Sequence, residues 1–564
     1  MYVGDDKVAV ELQGLIQGEV CSSADILKKC SSDASAFRVM PRLVVFPSSV
    51  DDISLVVKYV AQQKKKDSSL SLTVRSAGTD MTGGPLNESI ILDVSKHINR
   101  LRKLGKDYAI VEPGLFYRDL EKATLHKNLI YPSYPASKML CSVGGIVSNN
   151  SGGELSLRYG QTCKWVRGLK VILHDGKEYS FSKISVAEVQ RKCLQKDFEG
   201  DIYRKMFALL RKHDVLIKKS KPHTSKNSTG YLLWDIYDAE AGTFDLAQVF
   251  VGAQGTLGIV TEEKLGLISV EPHSMMYVIY LRDLDVLGEI VDLVLTTGPT
   301  SFESYDDKTL HLAIKYAGEI GRMISKEENI FKFAWHMLPD FWRIISMRQI
   351  PKLVLMVEFT GLTLAEVKAK ICVVDSLMRP FVLNNGVKVY TTKTKVDAKR
   401  YWTIRRQSFN LLRKKIQGKQ TVPFIDDIIV PPACLKQFLP ELDAVLKEYP
   451  SLIYTIAGHM GDGNFHIIPL MDMEDAAQRR IIPTLCEKVY SLVLKYGGSL
   501  SAEHNEGLIR GPYMQKMYGK EMFGLFCEVK NIFDPDTIFN PHKKTDANLK
   551  YSLAHIKKDN VHDV

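Results

Sequence analysis

Arg75-Ser76-Ala77-Gly78-Thr79-Asp80-Met81-Thr82-Gly83-Gly84 joins two apolar runs, Leu70 to Val74 and Ser89 to Val94, that read as strands. The connection is built of small residues, so its backbone N–H groups can come close to an anion. A second stretch of this kind is Cys141-Ser142-Val143-Gly144-Gly145-Ile146-Val147-Ser148-Asn149-Asn150-Ser151-Gly152-Gly153. A third, Val251 to Val260, runs from a loop into a strand. Neither of the first two is a GxGxxG motif after a strand and before a helix, which argues against a Rossmann fold. One glycine-rich loop usually just turns the chain. Three in one half of a chain point to a dinucleotide site.

Outward from the first loop the pattern is mixed α and β. Residues 1–36 read as an N-terminal arm with a short helix. Ser49 and Asp52 have capping-box spacing, and Ile53, Val56, Val57 and Val60 follow at helical period. Lys64-Lys65-Lys66 ends that helix, and Tyr108 to Glu112 reads as a further strand. From about residue 271 strands such as Met276 to Tyr280 and Leu353 to Phe359 alternate with helices. This predicts a smaller antiparallel sheet covered by helices on one face. The aromatic and basic segment Phe331 to Arg343 reads as a core helix with snorkelling ends, or as a membrane-surface contact. The tail after Lys544 is polar and reads as loosely held.

At 564 residues the chain is too long for one core. A hydrophobic fraction of 45% and a charged fraction of 25% are those of an ordinary globular protein. The net charge of +10 suits anionic substrates or an anionic membrane surface, without a basic, aromatic-interleaved motif for nucleic acid. Nine cysteines are scattered with no Cys-x-x-Cys pair, which argues against an iron–sulfur domain or zinc ribbon. They fit reduced thiols in the cytoplasm, with peripheral attachment to the inner face of a membrane as a variant. No signal peptide and no run of about 20 apolar residues is visible.

The second informative stretch is Gly458-His459-Met460-Gly461-Asp462-Gly463-Asn464-Phe465-His466. Asp-Gly is a preferred centre of a two-residue hairpin turn, because both central residues need positive φ. Folding about Asp462-Gly463 pairs His459 with His466 on one face, Cβ atoms about 5 Å apart, where two imidazoles can hold one metal ion.

Together these segments resemble the FAD-dependent 2-hydroxyacid dehydrogenases, the group of D-lactate dehydrogenase, the glycolate oxidase flavin subunit and D-2-hydroxyglutarate dehydrogenase. Arg75 to Gly83 resembles the first pyrophosphate loop, and Pro135-Ala136-Ser137 with Val143 to Gly153 the second flavin stretch. Arg158-Tyr159-Gly160, Thr229-Gly230-Tyr231 and Gly252 to Gly258 follow in family order. Then come the hairpin, Ser499 to His504, and Phe533-Asp534-Pro535 to Asn540-Pro541. The resemblance covers about Phe37 to Lys543. It implies an α+β architecture with a vanillyl-alcohol-oxidase-type FAD-binding domain at 37–270 and a substrate, or cap, domain at 271–500. A segment at 501–545 returns to the flavin, and 546–564 is a tail.

The resemblance also implies roles. FAD is expected to be non-covalent, since no histidine lies between Arg75 and Gly84. Its contacts are expected from Arg75, Ser76, Ala77, Gly78, Thr79, Asp80 and Gly83 in the first loop. Pro135, Ser137, Ser142, Gly144, Gly145, Asn149, Ser151 and Gly152 serve in the second. Gly255, Gly258, Ile259, Asn464 and Asn540 complete the set. His459, His466 and Glu503 are expected to ligate a divalent metal, zinc or manganese, leaving positions open for a 2-hydroxy acid. His504 is the expected base, as a neutral imidazole. Arg405, in Trp402-Thr403-Ile404-Arg405, is the expected carboxylate clamp, with Lys226 and Tyr231 as further candidates. The electron acceptor stays open among a quinone, a cytochrome and an electron-transfer flavoprotein. Two rival readings are an alkyl-glycerone-phosphate-synthase-like exchange without net redox change and a non-catalytic flavin subunit.

Three positions depart from the family: Ser225 before Lys226, Gln254 for the common glutamate, and Asn505 for the glycine after His504. Glu506 follows, and a negative charge near the pocket would disfavour a dicarboxylate. That tilts the expectation to D-lactate or glycolate. Residues 195–245 look longer than the usual connection.

Overall fold

The computed structural model describes residues 6–315, 350–415 and 418–560. The segment Phe331 to Arg343 lies outside these residues. The first glycine-rich loop sits in a four-stranded sheet ordered Glu19–Cys21, Leu43–Phe46, Ile90–Asp93, Leu72–Arg75. Leu43–Phe46 and Leu72–Arg75 both run parallel to Ile90–Asp93. All four residues of Leu43–Phe46 are buried, as expected of a parallel strand covered on both faces. The helix Val50–Gln63 lays Ile53, Val56, Val57 and Val60 on this sheet, each side chain contributing about 1.5–3 kcal/mol. Ser49 caps it through the Asp52 N–H. Asp52 turns instead to the N–H groups of Gln17 and Gly18 and ties down the N-terminal arm.

A second sheet, antiparallel, is ordered Leu101–Leu104, Tyr108–Val111, Ile259–Gly266, Val166–Ile172, Glu178–Phe181. The second glycine-rich stretch differs from the expected loop: Val143–Asn149 is helical. Glycine disfavours helix by about 1 kcal/mol per residue, but Val143, Ile146 and Val147 are buried in the core and outweigh it. Residues 195–245 form the helices Phe198–Lys212 and Asp214–Ser220 and the short strands Tyr237–Asp238 and Thr243–Asp245. They pack under the helix Met514–Phe533.

The third sheet is antiparallel and ordered Lys388–Thr391, His273–Leu281, Leu353–Gly361, Ser301–Asp306, Ile453–His459, Asn464–Met471, Gln420–Thr421. Tyr277, Ile279 and Leu281 face one helical layer, which includes Leu287–Leu295 and Leu364–Asn384. The expectation of helices on one face only is corrected. Met276, Val278 and Tyr280 on the other face pack against Ala398, Tyr401 and Trp402 of the helix Lys395–Lys415. That second helix delivers Arg405 and Arg406 over the sheet.

The C-terminal part closes the molecule in two places. Leu72 exchanges backbone hydrogen bonds with Ile538 and Asn540, so the chain after Asp534 extends the first sheet. Residues after Lys544 are not loose. Phe37 and Ile556 form an antiparallel bridge, the Lys557 N–H donates to Ala36, and Arg38 pairs with Asp559 at 2.5 Å. All nine cysteines are free thiols. Among the described residues no helix is long and apolar enough to cross a membrane.

Candidate active site

A cavity of about 910 Å³ opens between the glycine-rich loops and the third sheet. One wall is Ser76 to Asp80, Ser142, Gly144, Gly145, Asn149 and Ser151, with Pro135, Ser137, Gly255 and Gly258. The opposite wall is Thr455, Ala457, His459, His466 and Ile468 from two strands, with Glu503, His504, Arg405 and Arg406. Six expected flavin residues do not line it, and their contacts show why. Arg75 donates to the Ser32 carbonyl at 2.8 Å, behind the loop. Asn540 donates to the carbonyls of Gly84 at 3.0 Å and Gln254 at 2.6 Å, lashing two loops together. Asn464 is spent on Asp427 Oδ1 at 3.1 Å and on the Ile428 carbonyl. Gly83 packs on Phe37 and Leu508, and Ile259 is core. Gly152 lies where a Cβ would come 2.8 Å from Glu503 Oε1, so its bare backbone lets the flavin-side loop reach the acidic cluster.

The hairpin register differs from the expected one. His459 pairs with Asn464, and His466 with Ala457. Met460–Asp462 is a 3-10 turn and Gly463 alone carries positive φ, at 70°. The slip is two residues, so both histidines keep the same face. Their ring centroids are 5.3 Å apart and nearly perpendicular.

The donor atoms of His459, His466 and Glu503 lie within 4.8 Å of one another. Both histidines give their other ring nitrogen to a buried carboxylate: His459 Nδ1 donates to Glu303 Oε1 at 2.7 Å and His466 Nδ1 to Asp426 Oδ1 at 3.1 Å. Each Nε2 is thereby left for a ligand, the arrangement usual around a metal. Two nitrogens and a carboxylate oxygen that face a cavity fit a divalent cation with open positions. Asp427, in the left-handed region at φ 61°, accepts from Glu503 N at 2.8 Å and His504 N at 2.7 Å and seats that segment.

Lys226 and Tyr231 are not in the cavity wall. Lys226 is buried behind Glu503, its Nζ 2.5 Å from Oε1 and 2.9 Å from Asp462 Oδ2. Tyr231 is buried against Thr256 Oγ1 at 2.9 Å. His504 lies in the cavity wall. Burial pulls it down, but Asp427 and Asp426 hold it charged up to about 9. Without a cation nearby it is an imidazolium at neutral pH; a bound dication would push it back toward the neutral form. His459 is likewise lowered by burial but raised further by Glu303 and Glu503, to about 9. Sequence reasoning missed Glu303, Asp426, Asp427 and Arg406. Adjacent acids inside the apolar run Val422 to Val430 were the available signal for two of them.

The departures are accounted for. Asn505 has φ 67°, a region asparagine tolerates best after glycine, and donates to the Gly252 carbonyl at 2.8 Å. Gln254 accepts from Gly507 N at 3.0 Å. Ser225 Oγ donates to Asp462 Oδ1 at 2.6 Å. Glu506 is buried away from the cavity, accepting from Gly230 N at 2.5 Å and Lys544 Nζ at 3.1 Å.

Parallel and antiparallel sheets meeting at glycine-rich loops, roofed by a large antiparallel sheet, define an FAD-binding fold of the vanillyl-alcohol-oxidase type. The fold is shared with p-cresol methylhydroxylase, at a TM-score of 0.65 and 16% identity over 95% of this chain and 96% of that one. It is also shared with alkyldihydroxyacetonephosphate synthase, at a TM-score of 0.63 and 14% identity over 93% and 83%. Residues 41–182 match the FAD binding domain and 271–544 the FAD linked oxidases, C-terminal domain. The chain thus carries both domains of the FAD-linked oxidases and resembles the group that includes the D-2-hydroxyacid dehydrogenases. It is 28% identical over 541 residues to D-2-hydroxyglutarate dehydrogenase of Pantoea ananatis, covering 95% of this chain and 51% of that protein. It is 24% identical over 513 residues to glycolate oxidase subunit GlcD of Bacillus subtilis, covering 90% and 89%. Against D-lactate dehydrogenase of Archaeoglobus fulgidus it is 24% identical over 504 residues, covering 89% and 90%. The chain thus spans about half the length of the D-2-hydroxyglutarate dehydrogenases it matches first.

Proposed function

We propose that this chain oxidises a D-2-hydroxy acid to the 2-oxo acid. The observation that carries this reading is the pairing, in one cavity, of flavin-type loops with an arginine, a histidine base and a His₂Glu donor set. When bound, FAD supplies the hydride acceptor and a divalent cation, zinc or manganese, acidifies the substrate hydroxyl. The protein does the rest. Arg405 holds the substrate carboxylate. His504, stacked on His466 at 5.2 Å and backed by Asp426, receives the hydroxyl proton at the ring nitrogen facing the cavity. Asp427 fixes the backbone of Glu503 and His504, so ligand and base keep one spacing.

D-Lactate and glycolate are the first candidates, as in two of the relatives. A second reading, a dicarboxylate such as D-2-hydroxyglutarate, is favoured by two observations. Glu506 is neutralised by Lys544 outside the cavity, which removes the charge argument against it. Arg406 lines the cavity beside Arg405 as a second guanidinium, its Nε and Nη2 held by Glu154. The acceptor of the electrons is a quinone, a cytochrome or an electron-transfer flavoprotein. Anaerobic mixing of the flavin-loaded chain with D- and L-2-hydroxy acids tests the proposal. Bleaching by one D-acid supports it; an oxidised flavin with every acid overturns it and leaves the ether-exchange or non-catalytic readings.

A further inference from the structure

One buried carboxylate serves two functional side chains at once. Glu303 sits on the strand Ser301–Asp306, opposite Met356 and on the face that carries Ala457 and His459. It is 1% exposed and does not itself line the cavity. Its Oε1 accepts from His459 Nδ1 at 2.7 Å, and its Oε2 pairs with Arg405 Nη2. A lone carboxylate in this position would be costly to keep ionised. Burial does push it up, but Arg405 and His459 outweigh that and hold it below the usual range. Arg405 Nε, buried at the cavity wall, has no acceptor among the described residues. The guanidinium is therefore anchored at one edge and still has a donor to offer.

We propose that Glu303 is a positioning residue that locks the carboxylate-holding arginine and the ligand histidine into one geometry. Cation retention and anion recognition in this pocket are then set by the same side chain. This rests on the functional reading above. The chemistry demands a carboxylate: Oε1 accepts from the imidazole N–H and Oε2 forms an ion pair with the guanidinium, and an amide would lose the charge and turn its own N–H₂ toward one of them. Aspartate, one methylene shorter, cannot reach both partners.

The test uses the full chain loaded with FAD and Zn²⁺, comparing wild type with Glu303→Gln and Glu303→Asp. Zn²⁺ affinity is measured by competition with a chromophoric chelator, and pyruvate affinity by the flavin difference spectrum of the oxidised protein. The flavin spectrum reports folding, and Glu303→Asp serves if Glu303→Gln fails to hold flavin. The expected result is a loss of about tenfold or more in both affinities, within the range for removing a partner of a metal-bound histidine. Arg405→Met, by contrast, is expected to weaken pyruvate binding directly. Unchanged Zn²⁺ affinity, or unchanged pyruvate affinity, in a folded Glu303 variant overturns the inference. If wild type is reduced by a hydroxy acid and binds Zn²⁺ while the variants keep both affinities, the inference alone falls. If wild type does neither, it falls together with the functional reading.

Discussion

Asp426 stands directly behind His504, its Oδ2 2.8 Å from the imidazole Nδ1. The other oxygen of the same carboxylate takes His466 Nδ1 at 3.1 Å, so one acid orients a base and a candidate ligand together. Burial pushes Asp426 up, but His504 and His466 pull it far below its usual range and keep it ionised.

Removing that charge changes the pH profile in a defined direction. Burial lowers the His504 pKa; Asp427 and Asp426 raise it to about 9. A base acts in its neutral form, so activity rises as pH climbs through the operative pKa. Asp426→Asn removes a raising charge and leaves burial, which shifts the rising limb of kcat/KM to lower pH by about one unit or more. Turnover at the plateau should fall roughly ten- to hundredfold through lost orientation. A limb that stays in place would dismiss the charge argument.

His459→Ala removes one of three converging donors and the partner of Glu303. Hydroxy-acid turnover should vanish, metal content per flavin should drop, and the bound-flavin spectrum should persist. Incubation with a chelator should reproduce the loss in wild type, with recovery on adding Zn²⁺ or Mn²⁺. Activity that survives both treatments removes the metal from the scheme.

Arg405→Met should raise KM for the preferred acid by roughly ten- to hundredfold, the worth of a charge-assisted hydrogen bond of about 1.5–3 kcal/mol. Arg405→Lys should recover only part of it, because a point charge does not reproduce the guanidinium fork. Arg406→Met separates the substrate readings. A selective loss for D-2-hydroxyglutarate supports the dicarboxylate; equal losses for D-lactate and D-2-hydroxyglutarate count against it.

Glu263 makes a stability prediction away from the site. It is fully buried in the central strand of the five-stranded sheet, between Val111 and Leu169, and neither oxygen has a partner among the described residues. Burial raises it from 4.5 to about 8. Between those values the folded form holds a proton that the unfolded form has released, so stability falls with rising pH, by about 1.4 kcal/mol per unit at most. The penalty is complete above the folded pKa and absent below the unfolded one. Glu263→Gln should therefore show a thermal midpoint that exceeds wild type by a few degrees at pH 8 and by little at pH 5. Parallel pH curves for the two proteins would refute this.

The sequence made the glycine-rich loops and the histidine hairpin legible because both are local. His459 and His466 share a face through the period of two along a strand, and a two-residue slip in the turn does not disturb that. The roles of Glu303, Asp426 and Arg406 were not legible, because they depend on which distant elements lie beside which. Glu303 reaches His459 only because Ser301–Asp306 pairs with Ile453–His459, 156 residues apart in the chain for the two side chains. Val143–Asn149 was hidden by its glycines, whose intrinsic preference loses to the burial of Val143, Ile146 and Val147. The charge argument drawn from Glu506 does not hold, because its partner, Lys544, lies 38 residues further along the chain.

The bridge between Phe37 and Ile556 has a consequence for the order of assembly. Arg38 and Asp559, which flank it, are 521 residues apart in the chain. The N-terminal stretch contributes Asp33, Ala34 and Ser35 to the cavity, and its partner contributes Lys557. During synthesis the glycine-rich loops emerge early, yet this wall has no second side until residue 557 has been made. Flavin captured before that point would sit in an unfinished vessel, open along one seam. Closure of this wall is therefore a late event, set by the docking of two segments at opposite ends of the described chain rather than by the folding of either glycine-rich loop.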